Sequence, residues 1–127
     1  MDCPDCEDSQ LVVFTVPSEY RTHAPDDTAG ICPECLQVLG VDGDSSASDP
    51  EFEAISQDFP RGEAGVAVAL ALGKLHSLAL NRSAIEDLLI SAEHHGVDVF
   101  TTLERLDAPN AAFALGRRRQ QVSQILD

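Results

Sequence analysis

Basic residues are scarce in this chain. There are 8 against 22 acids, a formal charge of −14, and Lys74 is the single lysine. That excludes a polybasic nucleic-acid binder, whose affinity for phosphate comes from clustered Lys and Arg. Aromatic residues are almost as rare, at 5 %, with no tryptophan and one tyrosine. The chain therefore lacks an obvious stacking platform for bases, and it lacks the aromatic core usual in a rubredoxin. No long hydrophobic run is present either. The longest apolar stretch, Ala64 to Leu80, spans 17 residues, contains Lys74, His76 and Ser77, and is otherwise rich in alanine and glycine. A bilayer span needs about 20 strongly apolar residues, so this stretch reads as a buried core helix and a multi-span membrane protein is excluded. The first residues, Met1-Asp2-Cys3-Pro4, lack a basic and an apolar signal region, so a cytoplasmic setting is expected. At 127 residues the chain is too short for a large multidomain enzyme, yet 43 % hydrophobic content is enough for a core.

The acidity is unevenly spread. Residues 1–60 hold 14 of the acids and one base, Arg21, whereas residues 61–127 hold 8 acids and 7 bases. An acidic surface attracts a cationic partner. High Asp and Glu with almost no Lys also resembles proteins of salt-accumulating halophilic archaea, where carboxylates keep the surface hydrated. In ~1 M salt the Debye length is about 3 Å, so charge steering is largely lost. Phosphate binding driven by counterion release is weak under the same conditions.

Four cysteines stand in two C-x2-C pairs: Cys3-Pro4-Asp5-Cys6 and Cys32-Pro33-Glu34-Cys35, with 25 residues between them. Two-residue spacing lets one tight turn aim both thiolates at a common point, and proline at the second position fixes φ. Two such turns brought together make a tetrahedral four-thiolate site, a preferred environment of Zn²⁺. Iron takes the same ligands, so spacing alone does not separate the two metals. A head of about 40 residues has too little core to fold unaided, and metal binding supplies the missing free energy. With four protein ligands no coordination position stays open, so one structural zinc is expected on Cys3, Cys6, Cys32 and Cys35. A redox-active CPxC would instead follow a strand and open a helix. No strand precedes Cys3.

The coarse organisation is α+β: a small N-terminal zinc-ribbon head, built as a β-hairpin with two CPxC knuckles, followed by a C-terminal four-helix domain. The head spans residues 1–44, an acidic flexible linker 45–58, and the helical domain 59–127. Leu11 to Val16 reads as a strand, Ser18 to Gly30 as loop, and Leu36 to Leu39 as a short return strand. Phe52, Ile55 and Phe59, at helix-like spacing, are expected to dock onto the second half. A first helix covers about 62–80 and is apolar on most sides, which calls for neighbours all round. A capping box, Ser83 with Glu86, starts a second helix, whose inner face is Ile85, Leu88, Leu89 and Ala92 and whose C′ residue is Gly96. Asp98 caps a third helix carrying Val99, Phe100, Leu103 and Leu106, ended by Ala108-Pro109. Asn110 caps a fourth, to about Leu126, with Phe113, Leu115, Val122, Ile125 and Leu126 facing inward.

Other candidates have plainer readings. His94 and His95 are adjacent on a helix, point about 100° apart and do not chelate together easily. His76 reads as a core histidine, and His23 is superfluous beside four thiolates. Arg117, Arg118 and Arg119 form the one basic cluster. They are candidates for a nucleic-acid contact, against the plainer reading of a helix face paired with acids or covering apolar surface. No nucleophile elbow, phosphate loop, dinucleotide fingerprint or metalloprotease motif occurs, so a non-catalytic role is expected.

The doubled CPxC head resembles zinc ribbons, with Glu7 and Leu36 standing where such knuckles usually carry glycine at positive φ. Three further stretches extend the likeness: Phe59 to Ala67, Ser77 to Arg82, and Val97 to Phe100 with the arginine-rich terminal helix. Together they resemble a family of small haloarchaeal zinc-ribbon proteins. The resemblance implies a zinc head in a halophilic cytosol and brings no activity with it. The function expected is a zinc-binding adaptor, with a protein partner or homodimer through the helical domain. The alternatives are a nucleic-acid-associated regulator using Arg117 to Arg119, and a CPxC thiol redox protein.

Overall fold

The computed structural model describes Cys3, Cys6 and residues 10–41, 52–106 and 115–126. Residues 45–51 of the acidic linker, Glu7, Ala108-Pro109, Asn110 and Phe113 lie outside the described residues. The architecture is α+β. Three short strands, β1 (Val12–Thr15), β2 (Thr28–Ile31) and β3 (Val38–Gly40), form an antiparallel sheet in the order β1-β2-β3. Val12 pairs with Ile31, and Ile31 in turn with Val38.

The sheet therefore has a strand more than the expected hairpin, and it comes from the stretch read as loop. Thr28-Ala29-Gly30-Ile31 shows no apolar–polar alternation because β2 is the centre strand, buried on both faces. A Cβ at Gly30 would meet Leu11 side-chain atoms at 3.0 and 3.1 Å, so glycine lets Leu11 lie close across the strand there. The rest of that stretch holds a 3₁₀ turn, Ser18–His23, whose buried Tyr20 hydroxyl bonds the Ser91 hydroxyl at 2.5 Å.

Helix α1 (Gly62–Lys74) is buried at every position from Ala64 to Leu72. Its neighbours are its own chain: β3 on one side and α2 (Arg82–His94) on another. Alanine and glycine permit the close approach. At Gly73 a Cβ would lie 2.5 Å from a Val38 methyl. The helix ends six residues short of Leu80, tightening after Lys74 into a 3₁₀ turn, Leu75–Ser77. That change of twist takes His76 out of the apolar face, so it is exposed rather than a core histidine.

Helix α2 buries Ile85, Leu88, Leu89 and Ala92 as its period requires. Its capping box does not form. Arg82 is already helical, which puts Ser83 inside the first turn, and Asn81 takes the cap position, with its amide donating to the Ser77 carbonyl at 3.0 Å. Gly96, at φ 89°, ends the helix. Its N–H reaches the Glu93 carbonyl at 2.9 Å, and the Val97 N–H reaches that of Ala92 at 3.2 Å, the double bond of a Schellman motif.

Helix α3 (Val99–Glu104) is capped by Asp98, whose carboxylate accepts the Thr101 N–H at 3.1 Å. That bond holds the Asp98 carboxyl below its usual range. A depressed folded pKa contributes stability above the ordinary carboxylate range, which is lost as pH falls through the depressed value. Asparagine caps equally well without titrating. Asp98→Asn is therefore expected to leave neutral stability nearly unchanged and to flatten the acid limb, read by thermal unfolding between about pH 2 and pH 7. An unchanged acid limb would refute the assignment.

Helix α4 (Leu115–Leu126) buries Val122 and half-buries Leu115 and Ile125. Phe52 and Phe59 dock as expected. Phe52 is fully buried, its ring 5.8 Å from that of Phe14 on β1 and 5.2 Å from that of Phe59. One buried cluster thus runs from Val12 through Phe52 to Val122 and joins the sheet to the helices. No helix among the described residues is long and apolar enough to cross a membrane.

Candidate metal centre

The two cysteine pairs come from opposite ends of the sheet's connectivity. Cys3 and Cys6 precede β1, and Cys32 to Cys35 form the turn between β2 and β3. That turn is held by backbone. The Cys32 N–H donates to the Gln37 carbonyl at 3.0 Å, and the Leu36 N–H to the Cys32 carbonyl at 2.9 Å. The Cys35 N–H points at the Cys32 sulfur, 3.5 Å away. Pairing of β1 with β2 carries the first pair to the second.

The result is a group of four sulfurs within 4.8 Å of one another. Cys3, Cys32 and Cys35 are buried, Cys6 is half-buried, and none is in a disulfide. The Cys3 and Cys35 sulfurs are 3.7 Å apart. Four thiolates at the usual zinc–sulfur length of about 2.3 Å have tetrahedral edges of about 3.8 Å. A disulfide needs about 2.05 Å. Leu11 closes the buried side of the cluster, with Val13 and Leu39 at its rim.

The titration pattern shows what the site needs. Desolvation, then the bond to Cys32, pushes the Cys6 thiol up to about 11. Desolvation also leads in pushing Cys35 up, further still. Burial acts upward on Cys32 too, but the N–H groups of Cys35 and Glu34 and the neighbouring thiols outweigh it, and its net shift is downward. Burial thus opposes loss of the proton at Cys6 and Cys35, while hydrogen bonds favour it at Cys32. A divalent cation is the kind of group that lets all four lose their protons.

Leu36 stands where such knuckles carry glycine, and it adopts the glycine conformation, at φ 64°. The turn and its N–H···S bond thus form without the glycine. Its side chain is fully buried, which is the compensation. The left-handed conformation costs a non-glycine residue about 1–2 kcal/mol, whereas truncating a buried leucine costs about 2–5 kcal/mol. Leu36→Gly is thus expected to be net destabilising, by roughly 1–3 kcal/mol in urea unfolding. A stabilised variant would show that the backbone strain dominates.

The three arginines have different surroundings. Arg119 donates from Nη1 to the Leu103 and Glu104 carbonyls, each at 3.1 Å, satisfying the end of α3. Arg118 bonds Gln121 on its own helix at 2.7 Å, and Arg117 is exposed. Successive helical residues diverge by about 100°, so the three side chains leave α4 in different directions. None of the four histidines belongs to the cysteine group. His23 lies 3.9 Å from Asp87, and His95 lies 3.8 Å from Glu63. That second pair meets Glu19, forming a cluster for which the sequence carries no spacing signal.

Comparison with known proteins gives one family, described as a family of unknown function (DUF6276), whose match covers residues 2–126. No curated protein and no solved structure matches the chain.

Proposed function

The chain belongs to that family of unknown function, and since membership brings no activity, we propose from the site itself that this is a non-catalytic adaptor stapled by one structural zinc. The observation that carries the reading is the convergence of four largely buried sulfurs within 4.8 Å. Four protein ligands fill a tetrahedral sphere and leave no position for substrate. The acidic, lysine-poor surface supports a salt-rich cytoplasm of the haloarchaeal kind. Because α1 is covered by its own chain, its apolar surface is no longer a reason to expect a dimer. Contact with a protein partner or a second copy then falls to exposed side chains such as Leu80, Ile90 and Phe100.

The competing roles have less support. A redox nucleophile needs a low pKa and access together. Here Cys32, the thiol pushed down, is fully buried, while the half-buried Cys6 is pushed up. The nucleic-acid role loses Arg119 to the carbonyls of α3.

The test is elemental analysis of protein purified under reducing conditions, beside Cys6→Ser and Cys32→Ser. One zinc per chain, lost in both variants, supports the proposal. Iron with the same stoichiometry corrects the metal. No metal, with thiols that cycle to a disulfide, overturns the proposal in favour of redox chemistry.

A further inference from the structure

We propose that Glu19, Glu63 and His95 form a second cation site, of nitrogen and oxygen donors, for a divalent first-row transition metal. One donor atom from each lies within 4.8 Å of the other two. The three come from separate elements: Glu19 from the 3₁₀ turn Ser18–His23, Glu63 from the first turn of α1, and His95 from the C-cap of α2. The site therefore ties the region between β1 and β2 to both helices of the α1–α2 pair.

Their placement is held from below. Tyr20, next to Glu19, is buried and bonded to Ser91. Ser91 lies one turn before His95 and therefore on the same side of α2. His95 is fixed in turn by backbone bonds to Ser91 and Ala92 and by the Gly96 turn that follows. The backbones are thus anchored while the side chains keep freedom to close. The side chains of Glu63 and His95 are 55 % and 43 % exposed.

The donor set defines the ligand. Two carboxylates held this close in a chain of charge −14 repel one another, which a cation relieves. An imidazole nitrogen among the donors favours Zn²⁺, Co²⁺ or Ni²⁺ over Ca²⁺ and Mg²⁺, which prefer oxygen throughout. Bonds of about 2.0–2.2 Å place donors about 3.0–3.6 Å apart. The Glu63–His95 separation of 3.8 Å needs only a small closure. Three protein ligands leave positions for water, unlike the cysteine centre.

The experiment is a Co²⁺ titration of the full, reduced chain, followed by visible spectroscopy and calorimetry. Two classes of site are expected. One shows the intense thiolate-to-cobalt band of the cysteine centre. The other is weaker and lacks that band. His95→Ala and Glu63→Gln should each weaken the second class about tenfold or more and leave the thiolate band intact. Glu104→Gln, at an exposed carboxylate elsewhere, should change neither. Absence of a second class, or equal weakening by Glu104→Gln, would overturn the proposal. Loss of the thiolate band alone would bear on the cysteine centre and not on this one.

Discussion

Stripping the proposed metal from the four-cysteine centre, by chelation or by Cys32→Ser, is expected to be the most damaging single change to this protein. The cysteine cluster has almost no apolar core of its own. Its buried members are Cys3, Leu11, Cys32 and Cys35. With the cation gone, the turn from Cys32 to Leu36 keeps its backbone bonds but loses its link to the segment before β1. Structural zinc contributes about 10–16 kcal/mol in isolated finger peptides, against about 5–15 kcal/mol of total stability for a domain. A loss of roughly 5 kcal/mol or more is expected, lowering Tm by about 15–30 °C. The damage should be graded. Phe14 and Ile31 on the inner face of the sheet belong to the large core shared with the helices. Amide exchange should therefore rise most around Cys32 to Leu36, less in β1 and least in α1 and α2. A chelated protein that melts where the loaded one does would show that the cysteines staple nothing.

Phe52→Ala should cost about 3–5 kcal/mol, the usual range for emptying a buried aromatic site. Phe52 is fully buried and its ring packs on both Phe14 and Phe59. It is the point at which sheet and helices share a side chain, so the cavity would open where neither layer can collapse alone. Gly65 lies directly over this ring, and a Cβ there would come within 2.8 Å of two of its atoms. Gly65→Ala should therefore destabilise, although alanine in a helix is ordinarily worth about 1 kcal/mol over glycine. In the Phe52→Ala background the ring clash disappears, while the approach to the Pro60 carbonyl remains. The two substitutions should couple favourably by about 0.5–3 kcal/mol in a double-mutant cycle of urea unfolding. Simple additivity would mean that Phe52 does not set the spacing between helix and sheet.

The parts legible in the sequence were those whose physics is local. The C-x2-C spacing names a four-sulfur site whatever surrounds it, because two thiols on one tight turn already converge. The inner face of α2 follows from a period of 3.6, and the stops at Gly96 and Asp98 follow from backbone conformation and a carboxylate cap. Even Phe52 and Phe59 announced their docking. Sequence and structure part where neighbours decide. β2 looked like loop because a centre strand covered on both faces shows no alternation. His76 reads as internal only for a helix that keeps its twist past Lys74, and this one tightens there. Ser83 looked like a cap because helix starts shift by a residue when a side chain such as Asn81 finds another partner.

By itself, then, the sequence determined the α+β class, the two C-x2-C pairs, the buried face of α2 and the acidic character of the first half. Each depends on residue type and spacing along a few turns of chain. Only the tertiary structure decided that sheet and helices share one core, that Arg119 closes the end of α3, and that Glu19, Glu63 and His95 meet at one point. Those contacts join residues far apart in the chain, and no periodicity encodes them. They exist because burying α1 on every side brings the sheet, the 3₁₀ turn and α2 around it.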